Sequence, residues 1–148
     1  YRRKLESLIK ATGQQQHVVM TGSVPYADLP AHYAAGDVFA MPCRTRNRGL
    51  DVEGLGIVYL EASATGIPVV AGDSGGAPDA VVAGETGFVV QGGSVAQAAQ
   101  RVTQILTDPE LANRMGTAGR AWIESTWQWP KIAARLTDLL DGVDPDAH

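Results

Sequence analysis

The chain has 148 residues, a length typical of one domain with its own hydrophobic core. Hydrophobic residues make up 45% of it and charged residues 19%, which excludes a disordered chain, and no apolar run approaches the ~20 residues of a membrane-spanning helix. Lysine and arginine total 12 against 16 acidic residues, and the net charge of −4 argues against a nucleic-acid-binding surface.

The first segment, residues 1–12, has the apolar spacing of an amphipathic helix, with Gly13 as its stop. Because the chain opens inside this helix and without a methionine, we expect it to be a piece of a longer protein. The following segments predict short buried strands that alternate with helices. The strands are expected within residues 17–22, 37–42, 67–72 and 84–90, and the helices within 27–36, 56–66 and, as a single turn, 75–82.

The rest of the chain is predicted to be helical. Ser94 is placed to cap one helix, and Asp108, which a proline follows, is placed to cap the next. A last helix ends at Gly142, after which residues 143–148 are expected to form a loose tail.

This alternation of short apolar strands and helices predicts an α/β fold, a Rossmann-like parallel sheet with helices on both faces. Ligands of such sheets bind beyond the carboxyl ends of the strands. The arginine loop, residues 44–55, leaves that edge after the strand at 37–42 and leads directly into the helix at 56–66. The sequence therefore places a candidate site at this loop.

The start of that helix has the features of a phosphate-binding site. Gly54 and Gly56 leave its first N–H groups open to a ligand, and unpaired N–H groups at the positive end of a helix favour an anion. Three loop arginines can add charge-assisted hydrogen bonds, and Asp51 is expected to pair with one of them: Arg44, Arg46 and Arg48. The alternative is that the glycines only form a turn and the arginines are solvated. A dinucleotide-binding fingerprint is excluded because Tyr59 stands where the third glycine is required.

Two glutamates flank this helix start. Glu53 precedes it, and Glu61 lies ~8 Å along the helix axis, given a rise of ~1.5 Å per residue. A diphosphate at the N-terminus would therefore have one carboxylate toward each of its substituents, and carboxylates accept hydrogen bonds from sugar hydroxyls. This pattern indicates a nucleotide-sugar site. The alternatives are a helix-surface carboxylate at Glu61 and, at Glu53, a side chain stabilised by the helix dipole.

These residues resemble a known family. The stretch EGLGIVYLE carries the signature of two glutamates separated by seven residues that is found in the retaining glycosyltransferases of family 4, which have the GT-B fold. Three further segments are similar to that family: GSVPYADLPAHYAAGDVFAMP, EASATGIPVVAGDSGGAPDAVVAGETGFVV and LTDPELANRMGTAGRAWIESTWQWPKIAARL. The sequence RTRNRGLDVEGLGIVYLEA is most similar to actinobacterial GDP-mannose-dependent mannosyltransferases that build phosphatidylinositol mannosides. The resemblance implies that residues 1–142 are part of the C-terminal, donor-binding domain of a GT-B enzyme, without its first strands.

The resemblance also implies roles for individual residues. Glu53 would contact hydroxyls of the transferred sugar and stabilise the developing oxocarbenium charge, Glu61 would hold the ribose, and Arg46 would reach a phosphate of donor or acceptor. The remaining contacts are Gly54, Gly56, Ile57 and Val58 to the diphosphate, and Val24, Pro25 and Tyr26 to the base. The family implies a transfer that needs no metal and no cofactor besides its GDP-mannose substrate.

The family pattern also includes parts that we expect upstream of residues 1–12. These are an arginine and a lysine that neutralise the leaving diphosphate, and a separate N-terminal domain that recognises the acceptor. We therefore expect the chain alone to be inactive in transfer. Its expected partners are a nucleotide-sugar donor, that acceptor domain and a lipid acceptor, with no nucleic acid. The expected location is the cytoplasm, peripheral at the inner face of the plasma membrane through that domain.

Two other features have ordinary structural explanations. The single cysteine, Cys43, fits a reducing compartment and is expected to fill core space rather than act as a nucleophile. Trp127 and Trp129, at the start of the last helix, are expected to be core or staple residues, with a contact to the acceptor domain as the alternative.

Three other functions compete with the transfer of mannose from GDP-mannose. A glycosidase also uses two carboxylates, but it has no need of an anion-binding helix start. A transferase with a UDP- or ADP-sugar differs only in its base preference. A non-catalytic nucleotide- or phosphosugar-binding module would share the fold, but it has little need of a sugar-facing carboxylate at Glu53.

Overall fold

Three short parallel strands form the sheet, in the order β1-β2-β3. The computed structural model describes residues 1–142, and the predicted loose tail at 143–148 lies outside the described residues. The strands are β1 (Phe39–Met41), β2 (Val69–Gly72) and β3 (Gly87–Val90). They lie within three of the four predicted strand segments, and their parallel pairing confirms the predicted α/β fold.

The strand predicted within residues 17–22 is wrong. Residues 18–22 belong to no strand and make no hydrogen bond between backbone groups within residues 1–142, and Val19 is 85% exposed. An apolar run forms a strand only where a neighbouring strand pairs with its backbone. In the described part of the chain β1 pairs only with β2, so this run has no partner at the outer edge of the sheet.

The described residues contain six α-helices, each within a segment predicted to be helical. They are α1 (Arg2–Ala11), α2 (Leu29–Ala34), α3 (Ile57–Ala64), α4 (Val95–Thr107), α5 (Pro109–Thr126) and α6 (Trp129–Leu140). Both predicted caps are confirmed, because Ser94 Oγ accepts from the Gln97 N–H at 3.3 Å and Asp108 Oδ1 accepts from the Leu111 N–H at 2.9 Å. Single 3₁₀ turns lie at Tyr26–Asp28, Asn47–Gly49 and Ala77–Ala80. Of the helices within residues 1–142, none has the length and apolar character needed to cross a bilayer.

The central strand β2 is buried on both faces, which explains its continuous apolar sequence. Val69 and Ala71 cluster with Tyr59 of α3, whereas Val70 clusters with Ile105 of α4. Neighbouring residues of β2 join different clusters because successive side chains of a strand point to opposite faces. The helices therefore cover both faces of the sheet, and its carboxyl edge is left for a ligand.

The two tryptophans near the start of α6 differ in burial. Trp127 is half-buried and packs edge-on against Trp122, with the ring centroids 5.7 Å apart. Trp129 is 81% exposed, so its predicted place in the core is wrong. The reason is that α6 contributes no buried residue to the described part of the chain, and Trp129 is its first residue.

Candidate functional site

The arginine loop begins where the carboxyl ends of the strands meet. The backbone of Cys43 passes close to Gly72, the last residue of β2, and to Gly92, two residues beyond the end of β3. A Cβ at either glycine would overlap the carbonyl oxygen of Cys43, so only a residue without a side chain fits at these positions. This close approach fixes the start of the loop at the edge of the sheet where the sequence predicts a ligand.

Cys43 also contributes to the core, as the sequence predicts. Its side chain is half-buried and packs against the cluster that contains Tyr59. The Tyr59 hydroxyl donates to the Met41 carbonyl oxygen at 2.6 Å and lies 3.3 Å from Cys43 Sγ. Burial, to which the contact with Cys43 adds, raises the pKa of Tyr59 well above its usual value. This protonated hydroxyl therefore links α3 to the end of β1.

The first turn of α3 is shaped by Gly56. This residue has a left-handed backbone with φ of 76°, and a Cβ there would overlap the ring of Tyr59. Both features favour glycine. The N–H groups of Ile57 and Val58 occupy the first two helical positions, where the helix itself provides no acceptor. Because the space around Gly54 is also open, the start of α3 presents unpaired donors to an anion.

Glu53 is held through its backbone by the turn that follows β2. Its N–H donates to the Ser74 hydroxyl oxygen at 3.2 Å, and its carbonyl oxygen accepts from the Gly76 N–H at 3.2 Å. Within residues 1–142 the carboxylate has neither a hydrogen-bond nor an ion-pair partner. It lines a cavity of about 380 Å³, the Glu53 cavity, whose other lining residues include Pro42, Cys43, Arg44, Arg46, Asp51 and Gly92.

One arginine of the loop already has an acidic partner. Arg46 Nη2 lies 2.8 Å from Asp51 Oδ2, and the Arg46 N–H donates to the Asp51 carbonyl oxygen at 2.9 Å. The expected pairing of Asp51 with a loop arginine is confirmed. Arg44 lines the same cavity and has no carboxylate partner in the described part of the chain. A phosphate in this cavity would therefore meet an uncompensated charge at Arg44, and a phosphate contact by Arg46 stays a prediction.

Glu61 lies in a separate cavity, the Glu61 groove, which has a volume of about 320 Å³. The groove is lined by Tyr26, Leu29, Pro30, Tyr33, Glu61, Ala64 and Thr65. The Tyr33 hydroxyl donates to Glu61 Oε2 at 2.9 Å and so orients the carboxylate. A groove with apolar and aromatic walls and one carboxylate suits a planar base attached to a sugar with free hydroxyls.

The contact between Tyr33 and Glu61 predicts a loss of stability at high pH. Burial, together with the hydrogen bond to Glu61 and its charge, raises the pKa of Tyr33 from 10.0 to about 12. Below pH 10 the hydroxyl is protonated in both the folded and the unfolded chain, so its contribution is fully present; it is lost as the pH rises toward 12, because the unfolded chain ionises first. We expect the free energy of unfolding, measured in urea, to fall less over this interval in Tyr33→Phe than in the wild type. Parallel curves for the two proteins would contradict this.

The predicted site residues fall into two groups around the start of α3. Glu53 and Arg46 line one cavity, Tyr26 and Glu61 line the other, and the two cavities share no lining residue. The residues predicted to bind the diphosphate lie between the two glutamates in sequence: Gly54, Gly56, Ile57 and Val58. The structure thus places one glutamate in each of two cavities. The start of α3 lies between these two glutamates in the sequence.

The predicted base-binding segment lies only partly in the Glu61 groove. Tyr26 lines it, whereas Val24 and Pro25 do not. Val24 is half-buried and Pro25 is exposed. Contacts of these two residues with a base stay predictions.

Two residues that hold the glutamates were not predicted as site residues, Ser74 and Tyr33. Ser74 bonds to Glu53, and Tyr33 bonds to Glu61, over separations of 21 and 28 residues. The sequence did contain a signal for Ser74, because this residue directly precedes Gly75 in the turn after a buried strand. Tyr33 carried no such signal, because only the packing of α2 against α3 brings it to Glu61.

Comparison with known proteins identifies related sequences and structures. The sequence profile of the glycosyl transferases group 1 matches residues 1–122. The GDP-mannose-dependent alpha-(1-6)-phosphatidylinositol monomannoside mannosyltransferase of Mycobacterium tuberculosis is 53% identical over 97% of the chain. The protein of the same name from Mycolicibacterium smegmatis is 55% identical over 96%. The crystal structure of Anabaena Alr3699/HepE in complex with UDP superposes on 97% of the chain with a TM-score of 0.85 and 25% identity.

The chain corresponds to only part of each of these proteins. It spans 37% of the length of both mannosyltransferases and 37% of the Anabaena chain. Its parallel sheet with helices on both faces is the fold of the C-terminal domain of GT-B glycosyltransferases, as the sequence predicts.

Proposed function

The chain belongs to the glycosyl transferases of group 1, and from this premise we propose that it binds the nucleotide-sugar donor of a retaining glycosyltransferase. The donor we propose is GDP-mannose, for α-mannosyl transfer to a lipid acceptor of the phosphatidylinositol mannoside type. The observation that carries this proposal is a pair of cavities, each lined by one glutamate. In the sequence, these two glutamates lie on either side of the glycine-flanked start of α3.

Each part of the donor has a matching part of this site. The diphosphate would accept hydrogen bonds from the helix start, from Gly54 to Val58, because unpaired N–H groups and the helix dipole favour an anion there. Glu53 would bind hydroxyls of the mannose and stabilise the positive charge that develops at the anomeric carbon of the sugar. Glu61 would accept hydrogen bonds from the ribose, with the base in the groove beside Tyr26. Arg44 and Arg46 would add charge opposite a phosphate.

The choice of GDP-mannose rests on the relatives. The two mycobacterial proteins, at 53% and 55% identity, are named as GDP-mannose-dependent, whereas the Anabaena structure, at 25%, is a complex with UDP. A transferase that uses a UDP- or ADP-sugar is therefore the second candidate. A non-catalytic nucleotide- or phosphosugar-binding module is the third, and a Glu53 carboxylate that faces a cavity without any partner among residues 1–142 weighs against it.

The rest of the reaction needs partners outside this chain. We propose that an acceptor-binding domain and upstream cations complete the enzyme, that the transfer needs no metal ion, and that the chain alone does not transfer sugar. The lipid acceptor named for the relatives fits a protein of the cytoplasm that lies at the inner face of the plasma membrane through that domain.

An NMR titration of the ¹⁵N-labelled chain tests the proposed donor. We expect GDP-mannose and GDP to shift the amide signals of residues 54–61 with a Kd of about 1 mM or below, and UDP-glucose to shift them less. A stronger response to UDP-glucose would favour the UDP-dependent alternative. If none of the three ligands moves these signals, the chain has no donor site of the proposed kind.

A further inference from the structure

Ser74 is a buried polar residue with no role in the donor contacts above. It lies two residues beyond β2 and is fully buried. A buried hydroxyl is costly unless it is hydrogen-bonded. The Ser74 oxygen lies 3.1 Å from Thr45 Oγ1 and accepts from the Glu53 N–H at 3.2 Å. Ser74 therefore joins the outgoing and the returning arm of the arginine loop.

The two glycines after Ser74 contact the carbonyl side of Glu53. The Gly76 N–H is shared between the carbonyl oxygens of Glu53, at 3.2 Å, and Gly54, at 3.1 Å. A Cβ at Gly75 would overlap the first of these oxygens, and a Cβ at Gly76 the second. The turn at 74–76 thus contacts both backbone groups of Glu53: Ser74 accepts from the Glu53 N–H, and Gly76 donates to the Glu53 C=O.

These contacts decide the direction of the Glu53 side chain. Its carboxylate has no partner within residues 1–142, so its place in the Glu53 cavity depends on where the backbone of Glu53 is held. Glu61 is different, because its own carboxylate is held by Tyr33 in another groove. A change at Ser74 therefore reaches Glu53 and leaves Glu61 in place.

We infer that Ser74 is a positioning residue for Glu53. It affects the binding of the sugar half of the donor but not the binding of the nucleotide half. This inference rests on the proposed function, since it takes Glu53 as the residue that binds the transferred sugar. Ser74 acts through the backbone of Glu53 and does not itself touch the donor. Its loss lets the Glu53 carboxylate sample other directions in the cavity, which lowers its fit to the sugar hydroxyls.

The first test measures the contact without any ligand. In Ser74→Ala, amide hydrogen exchange followed by NMR should be about tenfold faster at Glu53 than in the wild type, because the amide loses its acceptor. The matched control is Ser63→Ala, since Ser63 is equally buried and its hydroxyl has no hydrogen-bond partner in the described residues. This control should exchange at Glu53 like the wild type. Thr45→Val, at an exposed position, removes the other contact of the Ser74 hydroxyl and gives a second variant if Ser74→Ala does not fold.

The second test compares GDP-mannose with GDP. Ser74→Ala should weaken binding of GDP-mannose about fivefold and leave the Kd for GDP within about twofold, while Ser63→Ala changes neither. Unchanged exchange at Glu53, or an equal loss of both ligands, would overturn the inference. If the wild type binds neither ligand, the donor site is rejected and the sugar-selective role of Ser74 falls with it, whereas the exchange result still reports the contact between Ser74 and Glu53.

Discussion

Replacing Gly72 by alanine is expected to lower the free energy of unfolding by about 3 kcal/mol, the upper end of the usual cost of overpacking a core. The added methyl group would overlap the carbonyl oxygen and the backbone nitrogen of Cys43. Neither atom belongs to a flexible side chain that can turn away, so β2 and the start of the arginine loop must separate. We expect the midpoint of urea unfolding, followed by tryptophan fluorescence, to fall accordingly.

Gly93→Ala is the matched control for this substitution. Gly93 lies in the turn after β3, in an ordinary backbone conformation, and a Cβ there meets no atom within 4 Å. Its replacement should change the free energy of unfolding by less than about 1 kcal/mol, because alanine meets no clash there and otherwise only stiffens the unfolded chain. Equal stability of the two variants would show that the loop can move away from β2, and that the strand end does not fix the site.

The helices and their caps were predictable because their signals are local. The Ser94 and Asp108 caps depend on an oxygen three residues before an N–H group, and such a contact forms wherever the helix forms. The strand signal was less secure. The apolar residues at 17–22 match those of β2 in composition, but β2 has a paired strand on each side and residues 18–22 have none in the described chain. Pairing is a tertiary property that an apolar run does not encode.

The candidate site was predictable where the chain positions its residues by helical geometry alone. The distance of Glu61 from the start of α3 follows from a rise of ~1.5 Å per residue, whereas Glu53 lies before the helix and was placed beside its start only by its position in the sequence. The orientation of each carboxylate does not follow from it. The backbone of Glu53 is held by Ser74 and the carboxylate of Glu61 by Tyr33, and both contacts appear only when distant segments pack together. A pairing of Asp51 with a loop arginine was expected, but the sequence could not tell which of the three arginines it would be.

Glu61→Ala is expected to weaken the binding of both GDP-mannose and GDP by about tenfold to a hundredfold, the cost of losing hydrogen bonds to a charged acceptor. Glu61 Oε2 already accepts from the Tyr33 hydroxyl at 2.9 Å, and Glu61 lines the Glu61 groove, where its carboxylate can accept further hydrogen bonds from a ribose. The ribose belongs to both ligands, and for this reason the loss should be equal for the two. This pattern differs from that of Ser74→Ala, which should affect GDP-mannose alone. NMR titration or calorimetry measures both constants.

Two further variants separate a direct contact of Glu61 with the ligand from an effect on the fold. Tyr33→Phe keeps the carboxylate and removes only the hydrogen bond that orients it, so its loss of affinity for GDP should be smaller than that of Glu61→Ala. Glu85→Ala removes an exposed glutamate of the turn before β3, at the opposite edge of the sheet, and should bind both ligands as the wild type does. If Glu61→Ala binds GDP with wild-type affinity, Glu61 does not hold the ribose. If Tyr33→Phe and Glu61→Ala lose equal affinity, the carboxylate acts only by keeping α2 and α3 together, because removing either half of the pair then has the same effect on the groove.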